Sequence, residues 1–473
     1  MGARLADTNC DQYNLWWNRW SYMKDSQFRW MGLCAAALVL LLGYQVAGQK
    51  DRKVAEAVIY RATPVPDRIL LTWRGDPATT AAVTWRTDTT VPSGLAQIAV
   101  AEDGPLFVKK AKAVNAVVEK GTENYFSVQF TGLQPDSQYV YRVGDGANWS
   151  DWNQFRTAAA GPAPLEFIYV GDAQNDIYSL WSRLIRQGYS DAPKARFILH
   201  AGDLVNRGVM DYEWGEWHAA AGWINRSVFS VPTPGNHEYA AGDDKVRRLT
   251  RHWRKQFTLP ENGVAGLEET NYWFDIQGVR IVSMNSNERQ QEQTAWLDKL
   301  LANNPNKWTI LTFHHPILST AKGRDNKELR EMWQPVFDKY RVDIVLTGHD
   351  HTYGRSNVAT GTSTQKGGTV YVVSVSGPKM YSLEREPWMQ RAAEDTQLYQ
   401  IIRVDGKQLR YEARTAQGAL YDAFTLTKVA GKPNKISNPR VMEPEHLRTE
   451  AERAAIVKEA AGRKAEQEKK AAK

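Results

Sequence analysis

Five short stretches of this 473-residue chain run from apolar residues into side chains that can hold a cation or move a proton. They are YVGDAQND (169–176), LHAGDLVNRG (199–208), PTPGNHEY (232–239), LTFHHP (311–316) and LTGHDH (346–351). Phe197-Ile198-Leu199 reads as a buried strand that delivers Asp203 to its C-terminal end. A carboxylate there does chemistry only if other ligands converge on it. The other four stretches offer Asp172, Asn236, His237, His314, His315, His349 and His351. Two divalent ions roughly 3.5–4 Å apart can clamp a phosphate, lower the pKa of a bridging water and stabilise both apical oxygens of an in-line displacement. That chemistry needs one bridging carboxylate, with carboxylate, amide and imidazole ligands around it. Each stretch alone is weak: Gly-Asp after a strand is often a turn with an Asp cap, and His-His before Pro is often packing. His349-x-His351 is stronger, because residues two apart in an extended segment point to one side. The weight lies in all five occurring at strand ends.

The only two cysteines, Cys10 and Cys34, precede the globular part, so its metal ligands must be nitrogen and oxygen. Hydrophobic content of 42% and charged content of 24% are those of a globular chain. The net charge of +7 is modest and sits partly in residues 431–473, so no nucleic-acid partner is implied.

The elements that must position these residues follow in order. Residues 30–43, WMGLCAAALVLLLG, are too short for a confident span and have the size of a signal-peptide core, with small residues at Val46-Ala47-Gly48. Residues 1–48 are thus a cleaved signal peptide or an uncleaved membrane anchor, and Met23 makes a more usual start. Either way the folded part is expected outside the cytoplasm, periplasmic or secreted. Residues 62–158 carry short alternating β-runs, and Leu133-x-Pro135-x-x-x-Tyr139-x-Tyr141 matches a tyrosine corner, so a fibronectin-III-like sandwich is expected. From 165 to 428 strands alternate with helices, among them strands 165–170, 196–200, 228–231, 307–313 and 342–347 and helices 178–187, 211–225, 244–257, 289–302 and 326–340. This is an α/β domain of packed sheets flanked by helices, with functional residues on loops after strands. Residues 431–473 read as a charged tail, helical or disordered.

The order GD…GD…GNHE…H-x-P…GHxH resembles the calcineurin-like metallophosphoesterase superfamily, and the sandwich in front makes the chain resemble a purple acid phosphatase over about residues 62–428. The resemblance implies that Asp172 binds the first ion, Asp203 bridges, Asn236, His314 and His349 bind the second, and His351 returns to the first. It also implies that His237 faces the substrate, stabilising phosphorane charge or protonating the leaving group. His315 is then a packing or orienting residue, since the family's ligand stands two before the proline. His200, His218, His252 and His446 match no motif and are read as structural.

Two departures matter. Purple acid phosphatases have Tyr three residues after the bridging Asp, where this chain has Asn206, so no Fe(III)–tyrosinate centre is expected. Relatives with Asp-x-His in the first motif have His where this chain has Gln174, which could supply a carbonyl oxygen. Two divalent ions are expected, Mn, Zn or Fe first, with Ca or Mg left open. Arg207, Lys322 and Arg324 lie in loops that can reach phosphate oxygens, and Arg207 is near enough to Asp203 to act in the site, holding a carboxylate. The substrate is expected to be a small phosphate ester, a phosphomonoester first. Nucleotide or lipid-derived diesters, or a non-catalytic metal-binding role, are the alternatives.

Overall fold

The computed structural model describes residues 54–358, 368–456 and 458. The segment 30–43 and the start at Met23 lie outside them. No described helix is long and apolar enough to cross a membrane.

Alternating side chains over 67–156 build two four-stranded antiparallel sheets. One runs Asp67–Thr72, Ala81–Thr87, Asn124–Phe130, Val117–Glu119; the other runs Lys112–Asn115, Leu95–Val100, Gln138–Gly144, Asn153–Arg156. Trp85 stacks on Phe126 between them, with ring centroids 5.3 Å apart. The tyrosine corner is formed: the Tyr139 hydroxyl accepts the backbone N–H of Gln134 at 2.8 Å. Strand Ala81–Thr87 is buried at every position, because its second face meets the neighbouring domain. There Thr84 Oγ1 donates to the Gln256 carbonyl at 2.6 Å, and Arg68 pairs with Asp211 at 2.7 Å through both carboxylate oxygens. Trp73 stacks on Phe229 at 3.9 Å and 11°.

Beyond residue 164 two seven-stranded mixed sheets form, with helices beside them. In the first, Leu165–Val170, Phe197–His200 and Phe229–Pro232 run parallel. In the second, Val279–Ser283, Trp308–Thr312, Ile344–Thr347 and Val370–Val373 run parallel. These strands are apolar and almost wholly buried, as strands covered on both faces must be. All five chemistry-bearing stretches leave the C-terminal ends of such strands.

Two expectations are corrected. Residues 244–257 are not one helix: Tyr239–Ala241 and Arg247–Leu249 pair as a hairpin, and only Arg251–Gln256 is helical. The turn is set by Asp244, whose Oδ1 accepts the Val246 N–H at 3.0 Å, with Lys245 at φ +62°. The second correction concerns the boundary at 428. Lys435–Ser437 adds a strand to the first sheet, antiparallel to Leu420–Thr427. Residues 443–453 are then tied to residues 382–396 by hydrogen bonds and ion pairs, so the first part of the expected tail is integral to the fold.

Candidate metal centre

The centre is assembled from loops in which Asp172, Asp203, His349 and His351 all take left-handed φ, at +47°, +50°, +74° and +48°. Such backbone costs a non-glycine residue on the order of 1 kcal/mol or more and persists only where surroundings over-determine it. Here those surroundings are specific. The Glu238 carboxylate, fully buried, accepts four backbone N–H groups: Asp203 (3.0 Å), Leu204 (2.9 Å), Val205 (3.3 Å) and Gly235 (2.7 Å). Burial and then the Asp203 charge push its pKa up to about 8, and the amides pull it back. Asp172 receives the His349 N–H on both oxygens, at 2.9 and 2.8 Å. Gly348 permits this approach, since a Cβ there would lie 2.3 Å from Asp172 Oδ2.

Around His314 the site closes on a point. Its Nδ1 donates to the Ala201 carbonyl at 2.9 Å, which leaves Nε2 facing inward. Nε2 stands 3.1 Å from each of Asp203 Oδ2, Asn236 Oδ1 and His349 Nδ1. On the other side, Asp172, Asp203 and His351 bring one ligand atom each within 4.8 Å of one another. His351 donates Nδ1–H to the Lys379 carbonyl at 2.8 Å, and its Nε2 is 3.6 Å from Asp172 Oδ1 and 2.7 Å from Gln174 Nε2. Gln174 Oε1 is buried with no hydrogen-bond partner.

The electrostatics are unbalanced. Burial pushes the Asp172 carboxyl well above its ordinary value; the His314 charge opposes this and the Asp203 charge adds to it. Burial would also raise Asp203, but the imidazolium of His314 beside it wins and holds its pKa low. The reciprocal effect carries His314 up to about 9 against its own burial. Burial and the His314 charge keep His349 neutral, and burial holds His351 down to about 3. Two buried carboxyl groups thus face one cationic imidazole, with unprotonated ring nitrogens turned inward and the amide nitrogen of Gln174 beside them. This donor set fits divalent cations: hard oxygens and imidazole nitrogens, already oriented by backbone partners.

His237 is placed apart from these groups. Its Nδ1 bonds the Asn206 carbonyl, its N–H donates to Asp203 Oδ1 at 2.8 Å, and its side chain is 25% exposed. Its Nε2 lies 3.9 Å from Asp203 Oδ2. The Arg207 guanidinium binds Glu213 (Nε–Oε1 2.7 Å) and Tyr212, at the start of helix Asp211–Ala221. Arg324 lies nearer the centre, donating to the His349 carbonyl at 3.1 Å and to Asp350 Oδ1 at 3.2 Å. His315 bonds Ser286 Oγ at 2.8 Å and packs 4.3 Å from the His349 ring, close enough to group with His314 and His349 as a third nitrogen.

Sequence reasoning missed Glu238 and Asp350. Asp350 is buried and accepts the Thr320 N–H at 2.7 Å. Both sit inside quoted motifs, as the acids of GNHE and GHDH. The readable signal was an acid flanked by ligands at a strand end.

Residues 66–157 match the family described as "Purple acid Phosphatase, N-terminal domain", and residues 165–353 match "Calcineurin-like phosphoesterase". An uncharacterized protein of Mycobacterium tuberculosis is 26% identical over 329 residues, 60% of this chain and 61% of that protein. The chain therefore spans about three-fifths of that relative's length. Probable purple acid phosphatase 20 of Arabidopsis thaliana is 23% identical over 370 residues, 72% of this chain and 82% of that protein. Among solved structures, a purple acid phosphatase from yellow lupin (Lupinus luteus) seeds shares the fold, with a TM-score of 0.67 at 19% identity over 77% of this chain and 75% of that one.

Proposed function

The chain belongs to the calcineurin-like phosphoesterases in their purple acid phosphatase arrangement, and from that premise we propose that it is a metal-dependent hydrolase of phosphoric monoesters. The observation that carries the reading is the convergence of Asp203 Oδ2, Asn236 Oδ1 and His349 Nδ1 on Nε2 of His314, each at 3.1 Å. Asp203, Asn236, His314 and His349 would hold one divalent ion. Asp172, Gln174, His351 and the shared Asp203 would hold the other. When bound, such a pair supplies Lewis acidity toward phosphoryl oxygens and an activated water.

The chain's own groups do the rest. Backbone partners at Ala201 and Lys379 fix the tautomers of His314 and His351, so that each offers Nε2. Glu238 locks the 203–205 loop against the 235–238 turn, which keeps Asp203 and Asn236 in register. His237, anchored through Nδ1, turns Nε2 toward solvent-accessible space beside Asp203. Protonated, it donates to the leaving-group oxygen and stabilises the charge of the transition state. Arg207 holds the Glu213 carboxylate and thereby the far end of the 203–208 loop. Asn206 stands where purple acid phosphatases carry the tyrosine ligand, so no tyrosinate is available at that position and divalent ions are favoured over a coloured ferric centre. The apolar segment 30–43 supports a location outside the cytoplasm.

The test compares p-nitrophenyl phosphate with bis-p-nitrophenyl phosphate across Mn, Zn, Fe, Ca and Mg, with Asp203→Ala as control. Metal-dependent turnover of the monoester, lost in Asp203→Ala, is expected. Preference for the diester moves the substrate class. No turnover of either ester with any ion sinks the enzymatic reading and leaves a metal-binding protein.

A further inference from the structure

The carbonyl that fixes His351 belongs to a loop with two sides. Toward the centre, Lys379 O accepts His351 Nδ1–H at 2.8 Å, the Tyr381 N–H donates to His351 O at 3.2 Å, and the Tyr381 ring packs 4.6 Å from the imidazole. On its other side the loop is gripped by the C-terminal segment. Arg448 Nη1 donates to Ser382 Oγ at 2.9 Å, and Arg453 Nη1 donates to the Leu383 carbonyl at 3.2 Å.

Glu394 joins the two. It is fully buried, and its Oε1 accepts the Leu383 N–H at 2.6 Å. Its Oε2 accepts the Arg448 N–H at 2.8 Å and Arg453 Nη2 at 2.7 Å, while its own N–H donates to the His446 carbonyl at 2.7 Å. A buried carboxylate that loses its cationic partners is strongly destabilised. Without the segment, Glu394 would have to turn toward water and would drag Leu383 with it. The same loop also accepts the Lys322 N–H on Ser382 O at 2.8 Å and the Gly323 N–H on Glu384 Oε2 at 3.0 Å, so it bears on the turn that carries Arg324.

We propose that residues 443–453 act as a strap whose Arg448 and Arg453 are positioning residues for the metal centre: they hold the 379–384 loop so that its Lys379 carbonyl sets the tautomer and direction of His351. The inference rests on the metal-site reading above and deepens it. The strap bears on the ion held by His351 and Asp172, and leaves the cluster around His314, fixed by Ala201, untouched. An outer partner of a ligating histidine typically changes metal affinity by about 10–100-fold, which sets the size of the effect.

The experiment is Mn(II) titration of the full chain by calorimetry, read as two separate affinities, alongside thermal melting. In Arg448→Gln/Arg453→Gln, one Mn(II) site is expected to weaken tenfold or more while the other stays within twofold. Arg453→Lys, which keeps the charge beside Glu394, should recover most of the loss. On a His351→Ala background the strap substitutions should add nothing further. Should the double variant fail to fold, Ser382→Ala breaks only the Arg448 contact with the loop, and a selective weakening of threefold or more is expected there. Two unchanged affinities, equal weakening of both, or additive loss on the His351→Ala background would overturn the strap. Absence of any Mn(II) binding by the unaltered chain would overturn the metal-site reading and the strap with it.

Discussion

Glu238 holds Asp203 by its backbone: Oε2 accepts the Asp203 N–H at 3.0 Å and, 2.7 Å away, the N–H of Gly235. With Leu204 and Val205 on the other oxygen, four donors share one carboxylate. Glu238→Gln puts an amide NH2 where two of these donors point. Net loss of two buried hydrogen bonds, with donors left facing one another, costs roughly 2–4 kcal/mol. Urea unfolding should show that loss, and Mn(II) content after dialysis should fall with it.

Gln174 is the most economical position for gain of function. Its Nε2 lies 2.7 Å from Nε2 of His351 and 3.3 Å from Asp203 Oδ2, while Oε1 has no partner. An imidazole there would replace a donor facing two acceptors with a ligand. Gln174→His is expected to tighten the Mn(II) site of Asp172 and His351 about tenfold or more, in line with the weight of a ligand or its immediate partner. Competition with a chelator of known affinity reads this directly. No change in either site would mean that Gln174 does not face the ion.

His237 is a quarter exposed, and its Nδ1 bonds the Asn206 carbonyl, which leaves Nε2 free of any ligand role in the two clusters. His237→Ala should leave metal content intact and lower kcat by about 10²–10⁴-fold, the usual weight of a general acid. A leaving group that needs no proton, such as p-nitrophenolate, should suffer least. Loss of metal together with activity would instead mark His237 as a ligand.

Two histidines away from the cluster make the fold sensitive to acid. Burial lowers His200 to about 3. Burial, then the nearby Arg68 charge, lowers His218 to about 3, despite its 2.6 Å bond to Gln256 Oε1. Both folded values lie below the ordinary 6.5, so folding favours the neutral ring. The stabilisation is complete above pH 6.5 and is lost as pH falls toward 3, at about 1.4 kcal/mol per pH unit for each ring. Melting curves from pH 7 to 5 should show that decline, and His200→Gln should reduce its slope by one proton. A slope unchanged in the variant would show that His200 is already charged in the fold.

The order of strands and ligands could be read because both obey local rules. Apolar runs such as Phe197–Leu199 are strands wherever two faces are covered, and the turn after each exposes whatever residue follows. What escaped reading depends on partners distant in sequence. The hairpin at 239–249 replaced a helix because Asp244 caps its turn and Thr250 N–H is taken by Glu238 O at 2.9 Å. The role of Glu238 requires knowing that Leu204 and Gly235 are neighbours. The charged stretch after 431 looked solvated because its arginines meet acids, Glu394 and Asp395, some fifty residues earlier. Likewise Arg207 is near Asp203 in sequence, but in space its guanidinium binds the Glu213 carboxylate.

The face-to-face contact of Trp73 with Phe229, with the edge of Phe197 6.0 Å away, has a thermodynamic consequence. Phe197 and Phe229 begin the two strands that lead to Asp203 and Asn236, and their aromatic cover comes from the sandwich. Heat should therefore melt both domains in one calorimetric transition, and a chain cut to begin at residue 159 should expose an aromatic patch, bind hydrophobic dyes and aggregate.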